Sequence, residues 1–450
     1  MSEIPTPRRA ILSSAGSSLK FAFRAFQHRN YRLFFFGQSI SLIGTWMTRI
    51  AISWLVYRLT NSALLLGLVG FAGQIPTFLL GPIAGVWVDR WDRHRVLVVT
   101  QILAMIQSLW LAALALSGNV SIYDVILLSL FQGCINSFDM PARQSFVVDM
   151  VEDRQHLGSA IALNSSMFNA ARLVGPSIAG VVIGLLGEGY CFLIDGLSYI
   201  AVIISLLAMR LPRIPKPAER QRIWGELRDG WSYVSGFAPI RSVLLLLAVA
   251  GFVGMPYTIL MPVMASTVLG GGPMTLGLLM AASGVGAVIG VLQLAFRRSV
   301  VGLGRVIAFN ATAFGVALIA FALSHHLWLS LLLMVVTGFG VMQQMAASNT
   351  FLQTIVSEDK RGRVMSFYTM ALMGMAPFGS LFAGVLANRI GAPKTLIFSG
   401  VISAVAGGMF ATQLPALREL VRPIYIELGI IPEVARGLQS ATALRTPPAE

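Results

Sequence analysis

The sequence predicts an all-α polytopic membrane protein, with twelve transmembrane helices in two six-helix bundles. Three observations carry that prediction. Of the 450 residues, 56% are hydrophobic and only 12% charged, whereas soluble domains are about a quarter charged. Apolar runs of bilayer-crossing length, about 20 residues, recur twelve times. The 33 basic residues fall almost entirely on alternate breaks between those runs. Three soluble domains of roughly 150 residues would each need a charged surface that so few ionic side chains cannot cover. A membrane barrel is excluded because its strands alternate in polarity over about 10 residues, and these runs are continuous. The two cysteines, Cys134 and Cys191, exclude a disulfide scaffold and a cysteine-based zinc cluster. The five histidines lack an HExxH-type spacing, so neither metal nor cofactor is expected.

The runs lie near 32–57, 65–88, 96–117, 122–147, 158–186, 190–210, 241–265, 274–296, 301–323, 327–350, 364–388 and 393–413. Each reads as a helix because lipid offers no partner to an open backbone. The breaks carry turn or charge chemistry: Asn61-Ser62, Asp89-Arg90, Gly118-Asn119, Gly187–Gly189, Gly270–Pro273, His325-His326 and Gly391–Pro393. The first run is about 25 residues, longer than a signal-peptide core of about 7–15, so it is expected to stay as the first span. Before it, Leu19–Phe26 alternates basic and aromatic residues and reads either as an interfacial segment or as a solvated tail.

Charge sets the expected orientation. An even number of spans puts both ends of the chain on one side. That side receives 27 basic residues, the other side 3 (Arg58, Arg389, Lys394), and 3 fall within spans (Arg49, Arg143, Arg172). The positive-inside rule makes the basic side cytoplasmic, in a cell membrane that for a bacterium is the inner one. The net charge of +14 is then topological and suits anionic lipid. Nucleic-acid binding is not expected, since it needs the charge clustered on one binding face.

The chain also repeats. VEDRQHLG at Val151 resembles VSEDKRGR at Val356, Ala179-Gly180 matches Ala383-Gly384, and Gly187 matches Gly391, all about 205 residues apart. That offset is six helices, the parallel-repeat plan of many secondary transporters. The expected organisation is a tail (1–30), a first bundle (31–210), a cytoplasmic linker (211–240), a second bundle (241–413) and a second tail (414–450).

The clearest motif is GPIAGVWVDRWDRHRVL, from Gly81 to Leu97. Gly81 and Gly85 have the small-xxx-small spacing that lets helices approach, and Asp89 is followed by Arg90, Arg93 and Arg95. The string GxxxDRxxRxR resembles the signature loop of the major facilitator superfamily. FDMPARQSFVVDMV (Phe138–Val151), ARLVGPSIAG (Ala171–Gly180) and RPIYIELGIIPEVARG (Arg422–Gly437) resemble its transmembrane secretion effector branch, which includes enterobactin-exporter-like and macrolide-efflux-like proteins. The resemblance covers about residues 20–435. It implies export, and an acidic latch at Asp89 near the start of helix 11 that favours the outward-open state. Asp92 stands where the commonest version of the loop has glycine. Gly175, Pro176 and Gly180 on helix 5 resemble the superfamily's antiporter motif, and Pro also bends a span whatever its role. Drug–proton antiporters of the superfamily carry Arg three residues before Gln-Gly on helix 4; here Gln132-Gly133 follows Ser129.

Polar residues inside spans mark candidate sites, because an ionisable group there costs at least about 2.5–3.5 kcal/mol. Gln38, Ser41, Thr45 and Arg49 share a stripe on helix 1. Gln132, Asn136, Asp139 and Arg143 share one on helix 4, and Ser165, Asn169 and Arg172 share one on helix 5. Helix 10 adds Gln343, Gln344 and Ser348. The resemblance implies a cavity lined by helices 1, 4, 7 and 10. Asp139 with Arg143 reads either as an i,i+4 ion pair or as a titratable coupling centre. No acidic residue lies between Arg241 and Val356, so an intramembrane proton acceptor must come from the first half, Asp139 before Asp195. Three arginines against Asp139 favour an anionic or catecholate-like substrate, on which Trp46 and Phe168 can stack.

The expected function is a secondary active transporter, an exporter of a small amphipathic or anionic molecule, siderophore-like or drug-like. It would act as a monomer among membrane lipids, by alternating access on a proton or other ion gradient. No GxxxxGK[ST] string supplies an ATP site. The alternatives are a lipid or lysolipid flippase on the same fold, or a non-transporting sensor or assembly partner. An enzyme is not expected, since Ser, His and Asp converge on no recognisable spacing.

Overall fold

The computed structural model describes residues 24–151, 156–210, 232–297 and 299–431, the Asp89 side chain excepted. Most of the interfacial stretch before Phe26, Arg154, Arg298, most of the central linker and the end of the second tail lie outside the described residues.

Among the described residues, twelve helices long and apolar enough to cross a membrane follow in order. In the first half they are α1 (Arg29–Thr60), α2 (Ala63–Arg90), α3 (Arg93–Leu116), α4 (Ile122–Met150), α5 (Leu157–Leu186) and α6 (Glu188–Leu207). In the second they are α7 (Ala238–Val268), α8 (Pro273–Ala295), α9 (Leu303–Leu323), α10 (Leu327–Ile355), α11 (Glu358–Ile390) and α12 (Ala392–Glu427). Local chemistry sets their ends. Ser62 caps α2 through Leu65 N, and Ser121 and Asp124 form a capping box on α4. Asp92, the departure from glycine, caps α3 by accepting from His94 N and Arg95 N. Gly187 and Gly391, matched by the repeat, both turn between helices at positive φ, +94° and +87°, where a side chain would be strained.

The last helix exceeds its expected end at 413. Leu414, Leu417, Val421 and Tyr425 form a buried stripe at helical spacing that packs on the second half's core. Hydropathy falls there while amphipathicity continues, so a reading for apolar runs stops short. Two other helices are irregular. α7 contains wide turns at Ala250–Gly254 and Met264–Val268 with a tight stretch between, and α11 has one wide turn at Met370–Gly374. Pro256 and Pro377 follow such turns, and each deprives the carbonyl four residues earlier of its partner. The carbonyl released by Pro256, Phe252 O, faces Gly379 of α11, where any Cβ would collide with it.

The halves meet along two pairs, α2 with α11 and α5 with α8. The six-helix repeat exchanges these pairs, so they are one interface used twice. At both, glycine faces glycine: Gly67 against Gly384, and Gly180 against Gly277. All four lie toward the face opposite the start of α1, called here the far face; the other is the terminal face. A single hydrophobic core crosses both halves at the far face, joining Leu55, Leu66 and Ile183 to Met261, Leu279 and Leu396. At the terminal face the cores are separate, one around Phe146 in the first half and one around Leu352 in the second. The molecule is therefore sealed at the far face and parted at the terminal face.

Candidate functional site

The parting runs along α2 and α11. Toward the far face Gln74 Nε2 donates to Ser380 Oγ at 3.3 Å, and the Phe78 and Phe378 rings meet edge-on at 5.3 Å. Further along the same face of α2, a Cβ on Gly81 or Gly85 would find nothing within 4 Å. The close helix approach that their spacing predicts is absent in this state.

α1 and α5 form one wall of the opening. They cross where Gly175 admits the Trp46 side chain. Around that indole the structure gathers charges that are far apart in sequence. The Arg49 guanidinium stands 4.8 Å from the ring centroid, Arg172 stands 5.9 Å from it, and Phe168 meets it edge-on at 5.7 Å. Arg49 lies deep in the bundle yet is exposed to the opening. Among the described residues neither arginine has a carboxylate partner. Asn169 Oδ1 is buried without a hydrogen-bond partner. Two cations beside one indole can hold an anion with an aromatic or apolar body.

The other predicted residues separate into distinct groups. On α4, Gln132 Nε2 donates to Asn136 Oδ1 at 3.1 Å, and Gln132 Oε1 is unpartnered. On α10, Gln344 and Ser348 are buried, with Ser348 Oγ unpartnered. Gln343 is not a cavity residue: its amide donates to Gly290 O and Gln293 Oε1, both at 2.9 Å, and binds α10 to α8. On α1, Thr45 donates to Ser41 O, while Gln38 is buried. Asp139 pairs with Arg143 across Pro141, and α4 remains helical through the proline. Asp139 Oδ1 also accepts from Thr100 Oγ1 at 3.0 Å and Gln101 Nε2 at 2.7 Å. Asp139 therefore joins α4 to α3 and stands apart from the Trp46 cluster. Thr100 and Gln101 escape sequence reading, although two adjacent polar residues inside helix 3 are a signal. In the gating loop, Arg93 pairs with Asp149 at 3.2 Å and Arg95 with Asp92 at 3.6 Å, while Arg90 is exposed.

A sequence profile described as transmembrane secretion effector matches residues 20–422. The chain belongs to that family. It is a major facilitator-type transporter and a multi-pass membrane protein. Among the family's relatives of this chain is the staphyloferrin A transporter of Staphylococcus aureus, 27% identical over 82% of this chain and 92% of that one. The multidrug efflux pump Tap of Mycolicibacterium fortuitum is 26% identical over 84% and 93%, and macrolide efflux protein A of Streptococcus pyogenes 23% over 84% and 95%. Among solved structures, a bacterial homolog of the human lysosomal transporter Spinster, inward-facing and unoccupied, superposes with TM-score 0.70 at 16% identity, covering 88% of this chain and 98% of that one. The nucleoside transporter NupG gives 0.66 at 15%, covering 86% and 98%. At such identities the likeness concerns the fold.

Within this secretion effector, Ser129 is buried where drug–proton antiporters carry arginine, and a Cβ on neighbouring Gly73 would lie 3.8 Å from it. The hydrogen bonding of Asp139 makes a separate prediction. Asp139→Asn leaves Arg143, itself only partly exposed, without its charge partner. Losing one partner of a buried pair costs about 3–5 kcal/mol, and the exposure of Arg143 places this case at or below about 3. Thermal unfolding in detergent is expected to show that loss, with the folded fraction still transporting.

Proposed function

We propose that this chain exports a small amphipathic anion, siderophore-like or drug-like, by alternating access across the inner membrane. The single observation that carries the reading is the pair of guanidiniums on Trp46, neither with a carboxylate partner among the described residues. An unpaired charge at that depth is costly, and a ligand anion offsets the cost. The terminal face is cytoplasmic, as the distribution of 27 basic residues against 3 supports. The parted state is then inward-open, ready to take substrate from the cytoplasm. The two six-helix halves rock about the Trp46 level. One chain lines the whole site, so a monomer suffices. A siderophore transporter and two efflux pumps among the relatives support the direction and the substrate class.

Fluorescence titration of the purified protein with aromatic polycarboxylates and size-matched aromatic ammonium ions tests the reading. Saturable binding of the anions, lost in the Arg49→Gln, Arg172→Gln double variant, is expected; preferential binding of the cations refutes it. The gating loop yields a second expectation. Gly81 and Gly85 are unpacked here but face α11 once the cytoplasmic side closes. Gly85→Leu is therefore expected to leave thermal stability unchanged and to lower transport by about 5- to 150-fold, through about 1–3 kcal/mol of overpacking in the closed state alone.

A further inference from the structure

Two features of the site have a joint electrical consequence. The first is the charge balance. Arg49 and Arg172 face the opening without carboxylate partners among the described residues. Neither intramembrane carboxylate pairs with them. Asp139 is held by Arg143, Thr100 and Gln101. Asp195 packs against Gly44 of α1, its Oδ2 accepting from Ser108 Oγ at 3.0 Å while its buried Oδ1 has no hydrogen-bond partner among the described residues. The second half adds none, since no acidic residue lies between Arg241 and Val356 or between Lys360 and Arg418. The repeat pairs Arg172 with Ala376, so the excess charge belongs to one half only.

The second feature is where the seal lies. The shared core and both glycine crossings are at the far face. Arg49 is exposed and Arg172 partly exposed in this parted state; with water admitted from the terminal face, the membrane field falls across the sealed layer beyond them. When the molecule opens the other way, the field falls on their opposite side. The two charges thus change electrical side without travelling, because the field moves past them.

We propose that the membrane potential, acting on the guanidiniums of Arg49 and Arg172, returns the empty carrier to its cytoplasm-open state and so drives anion export. This rests on the orientation and anion reading given above. The empty carrier carries two positive charges through the field, toward the negative cytoplasm. A bound dianion cancels them, so the loaded step is insensitive to voltage. One net charge crossing 100 mV is equivalent to about a 50-fold ratio, and two to about 2,500-fold.

The test needs no substrate, which separates its failure from failure of the anion reading. Cys134 and Cys191 are replaced by alanine, and Ser165, exposed on α5, is replaced by cysteine as reporter. In everted vesicles an impermeant maleimide labels Ser165→Cys from the cytoplasmic side. Imposing a cytoplasm-positive potential with potassium and valinomycin is expected to slow labelling at least tenfold per 100 mV. The Arg49→Gln, Arg172→Gln double variant is expected to lose that voltage dependence. The matching double lysine variant keeps the charge and is expected to retain it, which controls for folding. A pH gradient at zero potential is expected to change nothing. Labelling indifferent to voltage in the parent, an unchanged response in the double glutamine variant, or a shift with pH alone overturns the proposal. Labelling only from the opposite face overturns the orientation instead.

Discussion

Gly277→Leu and Gly67→Leu each lower transport by about 5- to 150-fold and leave the protein parted at the far face. A Cβ on Gly277 would stand 2.8 Å from Gly180 Cα, and one on Gly67 would stand 2.6 Å from Ser380 O and 2.8 Å from Gly384 Cα. These neighbours are backbone, so the helices themselves must separate. Overpacking of this kind costs about 1–3 kcal/mol. The cost falls only on the state in which these helices touch, so the inward-to-outward ratio shifts by about 5- to 150-fold. Spin labels on the far-face ends of α2 and α11 are expected to report longer distances in Gly67→Leu. Because the two crossings are related by the repeat, combining the variants is expected to stop transport outright.

Arg49→Gln and Arg172→Gln each weaken substrate binding by about 10- to 150-fold, on the basis that a hydrogen bond to a charged group is worth about 1.5–3 kcal/mol. The effect is expected in the substrate concentration for half-maximal rate, with thermal stability held or raised, since an unpaired intramembrane cation is removed. Lysine at either position is expected to recover part of the loss. It restores the charge but not the flat stacking of a guanidinium on Trp46. The contrast with Asp139→Asn is diagnostic: that substitution lowers stability and spares binding, because its partners lie on α3 and α4 away from the indole.

How far the sequence foretells these features depends on the kind of residue. The twelve spans are legible because each is a long apolar run closed by glycine, asparagine, histidine or charge. The repeat is legible in Gly187 and Gly391, whose positive φ no other residue adopts cheaply. The polar stripes identify Arg49 and Arg172 as residues that need an explanation, but their meeting at Trp46 depends on α1 crossing α5 at Gly175, which is tertiary. Gln343 misleads for the same reason: at helical spacing it shares the polar zone of Gln344, yet a rotation of about 100° per residue turns it to α8. The glycine seals are the least legible. Gly67, Gly180, Gly277 and Gly384 resemble the many other glycines in the sequence until a partner helix is placed against them. Asp139 shows a further limit, since i,i+4 spacing reveals Arg143 but not the two donors on α3.

On the proposed function, an inward-open cavity with two arginines that lack carboxylate partners among the described residues carries an anion out of the cytoplasm. The decisive measurement is uptake into energised everted vesicles of a panel of amphipathic anions, their neutral analogues and matched cations. At least one anion is expected to accumulate, its neutral analogue is not, and the Arg49→Gln, Arg172→Gln double variant is expected to abolish the accumulation. Accumulation of cations in place of anions, or anion uptake undiminished in the double variant, would contradict it.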